Sequence, residues 1–205
     1  MNGGRHDEGA TLDLSVVVPV YNEEESLRPL CARVVAVLER LGLRGEVIFV
    51  DDGSTDGSFA VIEALHAEYA CVRAVGFQRN ARKAAALAAG FREARGALIL
   101  TMDADLQDEP DELPRLLAAL DGGLDLVSGW KRVRHDPVGK RLPSRAWNVI
   151  TSLVAGLRLH DYNCGLKLYR REVALDALPY LYGELYRYLP AIAHWAGYRV
   201  GELPV

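Results

Sequence analysis

Apolar runs of strand length that discharge into acids, separated by segments of helical period, constrain this chain more than any other feature. Leu14 to Val20 runs into Tyr21-Asn22-Glu23-Glu24-Glu25, and Val47-Ile48-Phe49-Val50 into Asp51-Asp52-Gly53-Ser54-Thr55-Asp56-Gly57-Ser58. Ala97-Leu98-Ile99-Leu100-Thr101-Met102 runs into Asp103-Ala104-Asp105-Leu106-Gln107-Asp108. Strands buried on both faces read as continuous apolar runs, and alternation of such runs with helices builds a parallel sheet. Ligands of open parallel sheets collect beyond the carboxyl ends of the strands. The fold expected is therefore α/β, a mostly parallel sheet flanked by helices, with its site where the acids are.

The remaining elements follow the same periodicities. A helix is expected from the Glu23–Glu25 acids to about Leu41, stopped by Gly42, and another from Phe59 to Tyr69. A third strand, Val72 to Phe77, an Ala-rich helix from about Ala81 to Ala94, a helix from Pro110 to Leu120 and a strand from Leu124 to Gly129 come next. The segment from Trp130 to Pro143 is basic and loop-like, and Ser144 to about Leu157 has helical spacing. A strand or strand-turn is expected over Asp161 to Tyr169, short helices near Glu172 to Leu178 and Gly183 to Trp195, and a last strand from Tyr198 to Val205.

Half of the 205 residues are hydrophobic, which suits one sizeable core, and the formal charge of −4 gives no support to a nucleic-acid partner. The cysteines Cys31, Cys71 and Cys164 are far apart and odd in number, so buried free thiols in a reducing compartment are expected. The polar, Gly-rich residues 1–11 read as a disordered tail without the apolar core of a signal peptide. No apolar run reaches the roughly 18 to 20 residues of a bilayer span.

If the segment after Met102 stays extended, Asp103 and Asp105 share a face with Cα atoms about 6.5 Å apart. A hard cation such as Mg²⁺ or Mn²⁺, which takes one or two carboxylates and completes its shell with water and phosphate oxygens, fits between them. A solvated acidic loop is the competing assignment for a bare Asp-x-Asp. Asp51 and Asp52 close a buried strand, where a carboxylate can accept hydrogen bonds from a nucleobase or ribose. Ser54, Thr55, Asp56 and the glycines around them suit capping and turns. Asn80, Arg82 and Lys83 open a helix, and cations at a helix N-terminus attract phosphate. A phosphatase of the haloacid-dehalogenase type would use Asp103 as nucleophile, but places its Asp-x-Asp on the first strand and follows it with Thr or Val. A receiver domain is shorter, and a dinucleotide-binding Gly-x-Gly-x-x-Gly after the first strand is missing.

From about Leu12 onward the chain resembles family-two glycosyltransferases of the GT-A fold. The resemblance rests on Val18-Pro19-Val20-Tyr21-Asn22-Glu23-Glu24, Val50 to Gly57, Asn80 to Gly90, and Met102-Asp103-Ala104-Asp105-Leu106-Gln107. Gln107-Asp108-Glu109-Pro110, Asn163 to Arg170 and Gly183 to Pro190 resemble the branch acting on polyprenyl phosphates, dolichyl or undecaprenyl. The resemblance implies a Rossmann-like, nucleotide-sugar-binding domain over residues 12–205, short of the family's C-terminal segment and of membrane helices. It implies Pro19, Tyr21, Glu23 and Asp52 on the nucleotide, to which the reading of the strand end and of the helix start adds Asp51 and Lys83. It places Asp103, Asp105 and Gln107 on Mg²⁺ or Mn²⁺ as the catalytic and metal set. Arg132, Arg141 and Ser144, near Arg134 and Lys140, fall on the acceptor phosphate. The expected reaction is inverting transfer of a hexose, first glucose from UDP-glucose and next mannose from GDP-mannose, to a polyprenyl phosphate. The expected location is the inner face of the cytoplasmic membrane, as a peripheral protein.

Overall fold

The computed structural model describes residues 12–131, 152 and 155–205. The expectations for 1–11, for Arg132, Arg134, Lys140, Arg141 and Ser144, and for most of the Ser144 to Leu157 helix lie outside the described residues. Strands β1 (Leu14–Val20), β2 (Gly45–Asp51), β3 (Val72–Gly76), β4 (Leu98–Thr101), β5 (Leu126–Trp130), β6 (Lys167–Arg170) and β7 (Val200–Pro204) make a seven-stranded sheet in the order β3-β2-β1-β4-β6-β5-β7. Helices α1 (Glu24–Leu41), α2 (Ser58–Glu68), α3 (Lys83–Glu93) and α4 (Leu113–Asp121) connect them, and Arg171–Asp176 and Leu189–Trp195 form shorter helices.

β1 is central and pairs in parallel with β2 and with β4, so that Val16 faces Val47 on one side and Leu100 on the other. Its side chains alternate between two cores. Val16, Val18 and Val20 belong to the core that holds Leu27 and Leu30 of α1, Leu65 of α2 and Leu116 of α4. Val17 belongs to the opposite core with Ile48, Ile99 and the α3 residues Ala86, Leu87 and Phe91. Such burial, about 1.5–3 kcal/mol per Val or Leu side chain, explains why these strands read as unbroken apolar runs. Close approach of α3 needs Gly90, whose missing Cβ would lie 2.3 Å from Val17 Cγ1.

Two expectations change, and one strand direction that the sequence left open is added. The helix drawn from Pro110 starts as a 3-10 turn, Pro110–Glu112, and α4 begins at Leu113. Pro114 has no N–H to give to the carbonyl four residues back, so a continuous helix is interrupted there. The added direction is that of β6, which is antiparallel to both neighbours, pairing Lys167 with Thr101 of β4 and with Ser128 of β5. It therefore starts where β4 ends, which carries the Asn163-Cys164-Gly165 loop to the carboxyl edge. The second change is that the chain does not stay extended through Asp103-Ala104-Asp105: β4 stops at Thr101, and Leu106 turns the backbone at φ 62°.

That turn is anchored from behind by Asp108, which is 1% exposed. Its Oδ2 accepts a hydrogen bond from Asp103 N at 2.9 Å, and its Oδ1 pairs with Lys131 Nζ at 2.8 Å, just past β5. Burial, and then the charge of Asp103, push the Asp108 carboxyl above its ordinary value, while Lys131 pulls it back.

Two outcomes follow from this packing. Gly90→Val overfills the α3–β1 contact and lowers unfolding stability by about 2 kcal/mol or more in urea titration. Lys131→Met strands the Asp108 charge and costs about 3 kcal/mol near neutral pH. With the carboxyl raised above 3.8 in the folded state only, folding takes up a proton, so stability falls as pH climbs above 3.8. The Lys131→Met deficit should thus shrink near pH 4, and an equal deficit at both pH values would contradict the pairing.

Candidate functional site

The loops leaving β1, β2, β3 and β4 converge at the carboxyl edge of the sheet. Among the described residues the non-glycine positions with positive φ are Asn22 (56°), Arg82 (73°) and Leu106 (62°), each in one of these loops. Backbone of this kind persists only where surroundings enforce it and gathers at functional sites. Gly53 (φ 69°) brings the β2 loop against the β3 loop, since a Cβ there would lie 2.5 Å from the Arg79 carbonyl carbon.

The β1 and β2 loops are laced together. Asn22 N donates to Ser54 Oγ at 2.9 Å, Thr55 N to Asn22 Oδ1 at 2.8 Å, and Glu23 N to Ser58 Oγ at 2.8 Å. Gly57 N donates to Glu24 Oε2 at 3.0 Å. Ser54 and Thr55 are thus structural, as their residue types suggest, but they bind the neighbouring loop; the N-cap of α2 is Gly57, without a side-chain cap bond.

Between the loops lies an open cleft of about 400 Å³ lined by Pro19, Tyr21, Glu23, Asp52, Asn80, Arg82, Lys83, Asp103 and Asp105, among others. Pro19 reaches it because β4 pairs with β1 only as far as Val17, which leaves the end of β1 uncovered on that side. Asp52 is 3% exposed and its Oδ1 accepts a 2.6 Å hydrogen bond from Ala81 N, joining the β2 loop to the segment before α3. Asp51, although adjacent, does not line the cleft. Successive strand residues point to opposite faces, and Asp51 instead accepts a 3.1 Å bond from Ser54 N. Its Oδ1 is buried and has no hydrogen-bond partner among the described residues.

The Asp103 carboxylate packs over Gly165, where a Cβ would stand 2.5 Å from Asp103 Cγ, and its Oδ1 is ion-paired with Lys83 Nζ. Asp105 Oδ1 accepts a 3.1 Å bond from Gln107 N. Gln107 is exposed and does not line the cleft. No group of three or more His, Cys, Asp or Glu side chains gathers as a metal cage among the described residues. The Asp103–Asp105 pair fits a different kind of site: two hard oxygen donors, one cradled by a glycine, open to a cleft from which phosphate oxygens and water can complete an octahedral shell.

Beside Asp103 a narrow recess continues inward past Asn163, Cys164, Lys167, Tyr186 and Arg187. Lys167 is 5% exposed, gives a hydrogen bond to the Cys164 carbonyl, and has its pKa pulled down by burial. Burial pushes the Cys164 thiol up to about 11, which leaves it protonated and a poor nucleophile. Arg187 donates to Asn163 Oδ1 at 3.2 Å and to Glu184 Oε2 at 2.7 Å. Its guanidinium carbon lies 5.5 Å from the Tyr186 ring centroid, and Lys83 Nζ lies 5.6 Å from the same centroid. None of Asn163, Lys167, Tyr186 and Arg187 was singled out as a site residue from the sequence, although both segments that carry them stand out as motifs. The missing signals were the direction of β6, which brings the Asn163 loop onto Asp103, and the tertiary contacts that bring Tyr186 and Arg187 beside Lys83 and Asn163. Arg132, Arg141 and Ser144 lie outside the described residues, but Lys131, immediately before them, is tied by Asp108 to the back of the Asp103 loop.

No helix among the described residues is long and apolar enough to cross a membrane. The family model described as "Glycosyl transferase family 2" matches residues 15–177. A dodecaprenyl-phosphate galacturonate synthase of Rhizobium johnstonii is 40% identical over 210 residues, covering 98% of this chain and 61% of that protein. An undecaprenyl-phosphate 4-deoxy-4-formamido-L-arabinose transferase of Pseudomonas paraeruginosa is 43% identical over 161 residues, covering 78% of this chain and 48% of that protein. The chain therefore spans 61% and 48% of the lengths of these two curated relatives, both named for sugar transfer to a polyprenyl phosphate. The structure of mannosyl-3-phosphoglycerate synthase from Rubrobacter xylanophilus matches with a TM-score of 0.66 at 19% identity, over 94% of this chain and 66% of that one. A mannosyltransferase from Pyrobaculum calidifontis, solved with GDP-Man and Mn²⁺, matches with a TM-score of 0.65 at 24% identity, over 95% of this chain and 55% of that one. The fold is GT-A, as the motifs imply. On the extent of both the family match and the 40% identity, the chain belongs to glycosyl transferase family 2.

Proposed function

We propose that this chain is the catalytic domain of an inverting, metal-dependent glycosyltransferase that moves a hexose from a nucleotide sugar to a polyprenyl phosphate. The observation that carries this is the single cleft in which Asp52, the Arg82–Lys83 pair and the Asp103–Asp105 carboxylates meet. Asp52, with Pro19, Tyr21 and Glu23 around it, receives the base and ribose. Lys83 at the head of α3 receives the diphosphate, where the helix dipole adds to its charge. Asp51 supports the β2 turn from behind.

Asp103 and Asp105 would hold Mg²⁺ or Mn²⁺, with Gln107 steadying Asp105 through its backbone N–H. The cation, when bound, offsets the charge that develops on the departing nucleoside diphosphate. The acceptor is already an anion near neutral pH, so it needs orientation and charge neutralisation more than a general base. Arg132, Arg141 and Ser144 serve that purpose, in a segment that leaves the sheet at Lys131. Attack by the lipid phosphate opposite the leaving group inverts the anomeric carbon.

UDP-glucose is the first donor to test and GDP-mannose the second, while the relatives' names add galacturonate and 4-deoxy-4-formamido-L-arabinose to the panel. A polyprenyl acceptor places the protein at a membrane surface, on the inner face of the cytoplasmic membrane, without a spanning helix of its own among the described residues. A phosphatase using Asp103 is set aside, since that residue follows the fourth strand and not the first, and Leu106 stands where Thr or Val would follow the Asp-x-Asp.

The test is incubation with Mn²⁺, a labelled nucleotide sugar from this panel and a short polyprenyl phosphate. Label extractable into organic solvent is the expected result. Binding of the nucleotide sugar without transfer would instead favour a binding domain that does not turn over by itself. Asp105→Ala should abolish metal-dependent nucleotide binding, followed by calorimetry, with the fold intact by circular dichroism; unchanged affinity would remove the metal from Asp105.

A further inference from the structure

We propose that Lys83 is the resident counter-ion of Asp103, occupying the metal's place until the donor diphosphate draws it away. This rests on the assignment of Asp103 and Asp105 as the metal carboxylates, and adds to it an order and a coupling of binding.

Asp103 has little room to move. Its backbone N–H is held by buried Asp108, and its carboxylate is packed over Gly165 with no space for even a methyl group between them. Lys83 is the opposite case, a compact ammonium on a flexible stem. It borders both the outer cleft and the inner recess, and both partners of the pair are about a third exposed, at 33% and 30%. With Lys83 on Asp103 Oδ1, a divalent cation bonding that carboxylate would stand within a few ångströms of an ammonium. Two like charges so close oppose each other strongly in a partly desolvated cleft. Lys83 on Oδ1 therefore opposes a cation on the same carboxylate, and its departure removes that opposition.

A nucleoside diphosphate supplies the reason to leave. Its negative charges arrive at the N-terminus of α3, where Lys83 is the first helical residue and Arg82 precedes it. Lys83 then exchanges a carboxylate for a phosphate within reach of its stem, and Asp103 is released to the cation that arrives with the donor. Neither ligand alone achieves the full exchange: the metal meets an ammonium, and the diphosphate meets the uncompensated charges of Asp103 and Asp105. Binding of one therefore strengthens binding of the other by the same factor.

The experiment measures Mn²⁺ binding by electron paramagnetic resonance of the free ion, with the whole chain and with Lys83→Met, Lys83→Gln and Lys83→Arg, each with and without UDP or GDP. Without nucleotide, Lys83→Met and Lys83→Gln should bind Mn²⁺ about tenfold more tightly than the wild type, and Lys83→Arg about as weakly as the wild type. Nucleotide should tighten Mn²⁺ binding to the wild type by about tenfold or more, and by distinctly less in the two neutral variants. If both neutral variants bind Mn²⁺ no more tightly than the wild type, while Asp105→Ala loses the ion, the counter-ion role is overturned and the metal site stands. Absence of Mn²⁺ binding in every protein, with or without nucleotide, overturns both.

Discussion

Parallel pairing of β1 with β2 on one flank and β4 on the other is the constraint from which the site follows. Parallel neighbours send their carboxyl ends to one edge, so the residues that end each apolar run are delivered to the same place whatever helices intervene. Unequal lengths then open the space. β4 stops pairing at Val17 while β2 continues to Val20, and the cleft forms where β1 is left uncovered beside Pro19. A sheet with the same residues but with β4 antiparallel to β1 would put Asp52 and Asp103 at opposite edges.

β6 completes this arrangement by running the other way. Because it is antiparallel to β4, its beginning meets the end of β4, and the loop before it supplies Gly165 under Asp103 and Asn163 beside Arg187. Asp108 makes a second link across the same region, from the Asp103 backbone to Lys131 at the exit of β5. The candidate metal turn is thus held from below by a glycine, from behind by a buried carboxylate and in front by a lysine. Lys131, the last described residue before the basic segment, is therefore fixed to the back of the Asp103 turn.

Much of this was legible in the sequence, for identifiable reasons. β1, β2 and β4 announced themselves because both of their faces are buried, and Asp52, Asp103 and Asp105 because they terminate those runs. The separation of Asp51 from Asp52 was open to parity, since one residue's step along a strand changes face. The turn at Leu106 was not legible: positive φ at a leucine is imposed by the contacts around it and leaves no compositional mark. The partition of Pro110 to Leu120 into a 3-10 turn and α4 was marked by Pro114, a breaker that periodicity alone overrode. Tyr186 and Arg187 escaped assignment because only tertiary contact connects them to Lys83 and Asp103.

Whether the cleft seats a nucleotide diphosphate and a cation together is decided most directly by a crystal structure of the chain with Mn²⁺ and the nucleoside diphosphate it binds best. An anomalous peak for manganese bonded to Asp103 and Asp105, with phosphate oxygens in the remaining positions and the base against Asp52, is the predicted result. Manganese density away from both carboxylates, or a nucleotide lying outside the Pro19–Asp52–Asp105 cleft, would contradict it.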